Sequence, residues 1–364
     1  MRLGLFAMPL HHPARDTAAV IAEDREAVIV ADRLGYDEAW IGEHFTSKAE
    51  PIVSPLMFLA SLAPVTSKIR LGTGVVNLPH QHPAAVAAQA AFFDQLSGGR
   101  LMLGIGPGGL PSDAELFKDT DGAVRGRMML ESIEIIQAIW KGDPPYRFQG
   151  EFWDIDLKSV ILPDYGVGVM PKPVQRPHPP IAIALRSPNS STARLAGEKG
   201  WIPISANFIP SAHVATHWPL YAEGCEAAGR RPDPVDWRVA RSILVTDSDE
   251  EAADRVADPE GGLAFYFRYL ATVNAQRARP GPPDAATAAE IDEHVDHALA
   301  TMVIAGSPKT VLDRLVHLRD EVGPFGTLLA TGHDWDGRAD MWRHSMTLLA
   351  NEVMPKLARH AGAN

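Results

Sequence analysis

Histidines recur directly behind short apolar runs in the first part of the chain: His11 and His12, then His44 next to Glu43, then His80 and His82. An unperturbed imidazole titrates near neutrality, so such groups can give or take a proton at a reacting centre; with a carboxylate they can also ligate a metal. The metal alternative is poorly served. His11 and His12 are adjacent rather than alternating, so both rings do not easily reach one ion, and no clear His and Asp ligands follow the fifth, sixth and eighth apolar runs. An organic cofactor needs a floor that permits close approach, a place for an anion and a titratable group near the reacting atom. Gly72-Thr73-Gly74-Val75 supplies small residues for the floor. Ser187-Pro188-Asn189-Ser190-Ser191-Thr192 supplies hydroxyls ahead of a helix start, whose free amides favour an anion, although ordinary helix capping explains the segment equally well. Arg125 and Arg127 are positioned to add charge-assisted bonds to a phosphate.

To bring these residues together the chain must align the ends of its strands. Eight short, mostly apolar runs are bounded by glycine, proline or polar turns: Arg2 to Ala7, Glu38 to Ile41, Ile69 to Val76, Leu101 to Ile105, Ile181 to Leu185, Ile202 to Ser205, Arg238 to Val245 and Thr327 to Ala330. Helical patterns separate them. Val20, Val28, Ala31 and Leu34 share one helix face that Gly35 can end, Ser54-Pro55 is a helix start, and Met129, Ile133, Ile136 and Trp140 form a third apolar stripe. Alternation without hairpin signals predicts an α/β protein with a parallel sheet. Eight units favour a TIM-type (β/α)8 barrel over an open doubly wound sheet, whose Gly-x-Gly-x-x-Gly turn is missing after the first run. In such a barrel the residues just after each strand converge on one mouth, which places the histidines there and makes His11 and His82 candidates for a substrate pocket. Three segments exceed a minimal barrel: Gly106 to Gly122 after strand four, Pro144 to Pro180 before strand five, and about 246–322 after strand seven, where a lid is expected. Within the second, Pro171 to Pro180 reads as an extended lead into strand five.

A chain of 364 residues with 46% hydrophobic and 22% charged residues can bury a large core, and one barrel domain over 1–364 accounts for its length. Thirty-four basic against 45 acidic residues leave a net charge of −11, which opposes binding to nucleic acid or to anionic membranes. No apolar run reaches the roughly 18 residues of a spanning helix. The lone Cys225 precludes an internal disulfide, and the N-terminus carries no signal-peptide pattern, so the cytoplasm is the expected location.

Taken in order, several stretches resemble one known family: Ala39-Trp40-Ile41-Gly42-Glu43-His44-Phe45-Thr46, Ile69-Arg70-Leu71-Gly72-Thr73-Gly74-Val75-Val76-Asn77-Leu78-Pro79, His82-Pro83, Asp94-Gln95-Leu96-Ser97-Gly98-Gly99-Arg100-Leu101 and Gly104-Ile105-Gly106-Pro107-Gly108. The pattern continues with Arg127-Met128-Met129, Pro179-Pro180-Ile181, Ala193-Arg194-Leu195-Ala196-Gly197 and Gly306-Ser307-Pro308. The chain is identified on these as resembling the bacterial luciferase-like flavin-dependent monooxygenases. Gly106 to Asp113, with Arg127-Met128-Met129, is most similar to the limonene monooxygenase-like branch.

The resemblance implies a two-component enzyme: a separate NAD(P)H:flavin reductase supplies reduced FMN, O2 is co-substrate, and a C4a-peroxyflavin delivers one oxygen atom to a small apolar substrate such as a terpene or aldehyde. It assigns His44, beside Glu43, to acid-base or hydrogen-bonding work at the flavin edge. It puts a non-prolyl cis peptide at Gly74-Val75 under the flavin ring and makes Gly106 part of the cofactor site. It gives the phosphate to Arg127, or to Arg125 if the register slips, with Thr192 and Ser187 or Ser191. It also implies a homodimer, although the apolar faces of the second and third helices could equally pack on the barrel. Pro107 departs from the pattern, since luciferase has an arginine there and proline has no amide to donate. Two alternatives stay open: hydride transfer with the deazaflavin F420 on the same barrel, and a non-catalytic flavin-binding accessory protein.

Overall fold

In the computed structural model, which describes residues 1–8, 10–278 and 283–362, the eight apolar runs become parallel strands of one sheet. These are β1 (Arg2–Ala7), β2 (Glu38–Ile41), β3 (Arg70–Thr73) continued by β4 (Val76–Asn77), β5 (Leu101–Gly106), then β8 (Ile181–Leu185), β9 (Ile202–Ser205), β10 (Arg238–Val245) and β12 (Thr327–Gly332). Outside this ring lie the hairpin of β6 (Tyr146–Gln149) and β7 (Asp154–Leu157), and β11 (Val303–Gly306). The sheet closes because β9 pairs with β10, β10 with β12 and β12 with β1, as the eight-unit count predicts for a TIM-type barrel.

The helices are α1 (Thr17–Arg33), α2 (Pro55–Leu62), α3 (Pro83–Leu96), α4 (Pro111–Leu116), α5 (Gly122–Lys141), α6 (Ser191–Lys199), α7 (Ser211–Val214) and α8 (His217–Ala227). They continue as α9 (Asp249–Val256), α10 (Gly262–Ala278), α11 (Ala285–Met302), α12 (Pro308–Val322), α13 (Ala339–Leu348) and α14 (Met354–Gly362). Local chemistry sets their ends. Asp16 caps α1 by accepting from the Ala19 amide, and Gly35, at φ +81°, turns the chain away after it. Ser54 caps α2 ahead of Pro55. The stripe Met129, Ile133, Ile136 and Trp140 is buried on α5.

Side chains alternate across each strand, and the inward set fills the barrel: Trp40, Met102, Ala182, Ile202, Ile204, Ala240 and Leu329, with Phe6 against them. Trp40 fits only because a neighbour is small. A Cβ on Gly72 would lie 2.4 Å from the Trp40 ring. At the N-terminal end of the strands, Glu38 and Arg238 close the barrel with two buried bonds of 3.1 and 3.0 Å, and Glu38 also accepts from the Trp40 indole at 2.9 Å.

Four expectations are revised. The run Ile69 to Val76 is two strands, interrupted at the cis peptide Gly74-Val75. The segment before strand five, read without hairpin signals, holds the antiparallel β6–β7 pair ahead of its extended proline-rich lead. The insertion after strand seven contains α9, α10, α11 and a strand, β11, that pairs in parallel with the outer half of β10. It also ends earlier than 322: α12 buries Val311, Leu315, Leu318 and Val322 against the β10–β11 wall and belongs to the outer helix ring. Residues 279–282 of the expected lid lie outside the described residues, as do 363–364 of the expected domain span. Among the described residues no helix is long and apolar enough to cross a membrane, and Cys225 is a buried free thiol.

Candidate active site

The loop after β2 carries His44 to the barrel mouth, and two carboxylates, one from the same loop and one from α4, meet both sides of its ring. Nδ1 lies 3.3 Å from Asp113 Oδ2, at the start of α4, and Nε2 lies 3.3 Å from Glu50 Oε2. Burial by itself would lower the pKa of His44, but Glu50, Asp113 and Glu43 outweigh it and raise the value. Asp113 would be raised by burial; bonds from His44, Thr46 and the Phe45 amide reverse this and hold it at about 2. The two carboxylates on either side of the ring therefore favour its protonated form.

Glu43, expected beside His44 as a catalytic group, is buried. Its carboxylate accepts from the Asn77 amide at 2.7 Å and from Gln81 Nε2 at 2.9 Å, and burial raises its pKa to about 7. It ties the β2 loop to the β4 loop and supports His44 from behind. Asn77 returns a bond from Nδ2 to the Glu43 carbonyl.

Across the mouth, cations gather without counterions. Arg186, the first residue after β8, lies against Gly109, where a Cβ would come within 2.6 Å of its Nη1. Arg125 donates from Nε to the Pro107 carbonyl at 3.0 Å, and Arg277, from α10, donates to the Gly109 carbonyl. Lost hydration, then repulsion from Arg277 and Arg125, lowers the pKa of Arg186, although the side chain stays accessible to solvent. Among the described residues none of these three arginines pairs with a carboxylate. Beside Arg186, the hydroxyls of Ser187, Ser191 and Thr192 make no hydrogen bond to the protein among the described residues, and Ser190 leaves the first amides of α6 without a side-chain cap. This donor set has the composition of a phosphate receptor.

Between the two halves the floor is thin. Gly104 must be glycine because a Cβ would lie 1.9 Å from the Thr73 carbonyl oxygen, and Gly106 because a Cβ would lie 2.5 Å from the Val75 side chain. The cis peptide Gly74-Val75 sits there, where it was expected. Phe45, Phe117 and His80 make an adjacent aromatic wall, with His80 stacked on Phe117 at 4.4 Å.

Three expected residues stand elsewhere. Arg127 is 53% exposed and paired with Glu151 of the β6–β7 turn at 2.8 Å, because two positions along α5 turn it by about 200° from Arg125. His82 is the exposed cap of α3, accepting from the Ala84 amide and resting against Trp153. His11 is buried between Asp24 and Asp334, each 3.1 Å from a ring nitrogen, so it secures the β1 loop and lines no open pocket. Arg186, Arg277, Glu50 and Asp113 were not assigned roles from sequence. Arg186 satisfied the rule of standing directly after a strand; the other three reach the site from loops and helices with no local signal.

The sequence profile of the "Luciferase-like monooxygenase" family matches residues 1–323. The chain is 33% identical to 4-hydroxyprotoasukamycin monooxygenase of Streptomyces nodosus subsp. asukaensis, covering 97% of this chain and 91% of that protein. It is 30% identical to limonene 1,2-monooxygenase of Rhodococcus erythropolis, over 97% and 85%. The oxygenating constituent of 3,6-diketocamphane monooxygenase from Pseudomonas putida, a type II Baeyer-Villiger monooxygenase solved with FMN, superposes with a TM-score of 0.83 at 28% identity, over 98% of both chains. A barrel of this topology, matched along most of its length, places the chain in the luciferase-like monooxygenase family.

Proposed function

We propose that this protein is an FMN-dependent monooxygenase of the two-component kind, taking reduced FMN from a separate reductase and oxidising a small apolar molecule such as a terpene or aldehyde. The observation that carries the reading is the placement, at one mouth, of Arg125, Arg186 and Arg277, which pair with no carboxylate among the described residues, opposite His44 with its flanking carboxylates Glu50 and Asp113. Related proteins that hold FMN or act on limonene support it. Bound reduced flavin supplies the electrons with which O2 is split between product and water. Arg125, Arg186, Ser187, Ser191 and Thr192 would bind the phosphate, and Gly74, Val75 and Gly106 would leave room for the flavin. With the cofactor bound, His44 would hold a proton for the reaction, Asp113 would fix its orientation, and the Phe45–Phe117 wall with α10 as a lid would exclude water.

The test is anaerobic mixing of the protein with reduced FMN followed by oxygenated buffer, watched by absorbance. Reoxidation slower than that of free flavin, with product formed when terpenes or aldehydes are supplied, is the expected outcome. Reoxidation at the free rate overturns the reading. Oxygen-independent hydride transfer with F420 would replace it with the dehydrogenase alternative, and FMN binding without turnover of any substrate tested would leave an accessory protein.

We also propose that a second copy covers α2 and α3. The stripe on α5 is spent on the barrel, whereas Met57 (74% exposed) on α2 and Phe92 (66%) and Leu96 on α3, with Val53 and Val65 just outside the ends of α2, leave apolar side chains exposed on and beside these two adjacent helices. Sedimentation of the wild type as a dimer, and of the double variant M57D/F92D as a monomer, is the expected result; a monomeric wild type removes the proposal.

A further inference from the structure

Helix α10 is anchored to the mouth by two tyrosines with different partners. Tyr266 donates to Asn207 Oδ1 at 2.9 Å, and Asn207 Nδ2 donates to Ser242 Oγ at 3.3 Å, which is also 3.0 Å from His333 Nε2; all four are buried barrel or lid residues. That set ties the helix to the barrel, with His333 Nδ1 left without a partner among the described residues. Tyr269, one residue short of a turn further on, points to the chemistry instead: its hydroxyl donates to Glu50 Oε2 at 3.2 Å, the same oxygen that lies 3.3 Å from His44 Nε2. Ser47 Oγ is 2.9 Å from the Tyr269 hydroxyl, and the Tyr269 ring leans on Phe265, which in turn meets His12. A contact chain thus runs from the inserted helix through one buried carboxylate to the ring that faces the mouth.

We propose that Tyr269 is a positioning residue that, when α10 is seated, keeps Glu50 ionised against Nε2 of His44 and so makes the charge of His44 depend on the lid. The inference rests on the reading of His44 as the proton-holding group at the flavin edge. The physical step is simple. Glu50 is buried, and burial raises its pKa; the charge of His44 and then the hydroxyl of Tyr269 oppose that rise. Removing the hydroxyl lets Glu50 take up a proton more readily, and His44 then loses one of the anions that favour its protonated form. The charged groups facing His44 are Glu50 and Glu43 from its own loop and Asp113 from α4, while α10 contributes the neutral Tyr269 through Glu50. Asp113 and Glu43 are bound by backbone amides within the barrel loops, so Glu50 is the member of the set whose state the inserted helix controls.

The experiment is an NMR pH titration of the histidine ring resonances of the full chain, with His44 assigned as the signal missing from H44Q. Y269F keeps the ring on Phe265 and removes only the hydroxyl. The expected result is a fall in the His44 pKa by about half a unit in Y269F and about one unit in E50Q, while S47A changes it less than either. A His44 titration in Y269F identical to the wild type overturns the proposal, whether or not E50Q shifts it. Should E50Q fail to fold, Y269F decides alone. Flavin turnover is measured separately in H44A: unchanged oxidation there would refute the role of His44 in the reaction, while the titration would still report whether Tyr269 sets its charge.

Discussion

The two ends of the barrel use the same residue types in opposite ways. At the closed end Glu38 and Arg238 meet in a buried, doubly hydrogen-bonded pair, with the Trp40 indole and the carbonyls of Val235 and Asp236 satisfying what remains. At the open end Arg125, Arg186 and Arg277 repel one another across the mouth, and the carboxylates there surround a histidine instead. A charge that is fully matched inside the protein stabilises a fold but has nothing left for a ligand. A charge left unmatched costs stability until a ligand supplies its partner.

This contrast is broken or sharpened by mutation. Replacing Arg238 by Met strands Glu38 in the barrel floor and is expected to cost about 3–5 kcal/mol in urea unfolding, whereas Arg186→Met should stay within about 0.5 kcal/mol. Similar losses at both sites would dissolve the distinction. Next in size is a pH effect. The folded pKa of Glu43 is raised from 4.5 to about 7, so the folded state binds the proton more tightly than the unfolded chain. Its contribution is fully present below pH 4.5 and is lost as pH rises through 7, a change on the order of 3 kcal/mol, which Glu43→Gln should flatten when unfolding midpoints are compared at pH 4.5 and 8. Asp113 acts with the opposite sign: its contribution is present above about 3.8 and is lost as pH falls through 2. A smaller effect belongs to binding. Arg186→Met should weaken FMN by roughly 10- to 100-fold and leave riboflavin, which lacks the phosphate, unchanged in fluorescence titrations; equal weakening of both would remove Arg186 from the phosphate site. Smallest is Arg127→Ala, whose side chain is spent on Glu151 at the surface; FMN affinity should match the wild type, and a loss would reinstate Arg127 as a phosphate ligand.

The barrel was legible because parallel strands buried on both faces read as unbroken apolar runs, and each of the eight became a strand. The misses have the same cause in reverse. Tyr146-Arg147-Phe148-Gln149 is half polar because one face of its hairpin is open to water, and Val303-Ile304-Ala305-Gly306 follows α11 with no turn residue to announce a strand. At the candidate site, His44 and the Ser187–Thr192 segment could be placed at the barrel mouth because their position follows from the strand ends. Arg127 faces Glu151 at the surface while Arg125 faces the mouth, a difference of helix phase that a local motif does not fix. Glu50, Tyr269 and Arg277 come together only through contacts spanning hundreds of positions, beyond any periodicity.

Strand β10 is eight residues long, and only its first half belongs to the barrel; its second half carries β11. The segment that holds α9, α10 and α11 therefore departs from and returns to the same rigid rail, like a handle riveted at both ends. Residues between the rivets are free to be exchanged for others of different shape without reopening the barrel, so a lineage built on this scaffold can change what it admits at the mouth while the groups beneath keep their places.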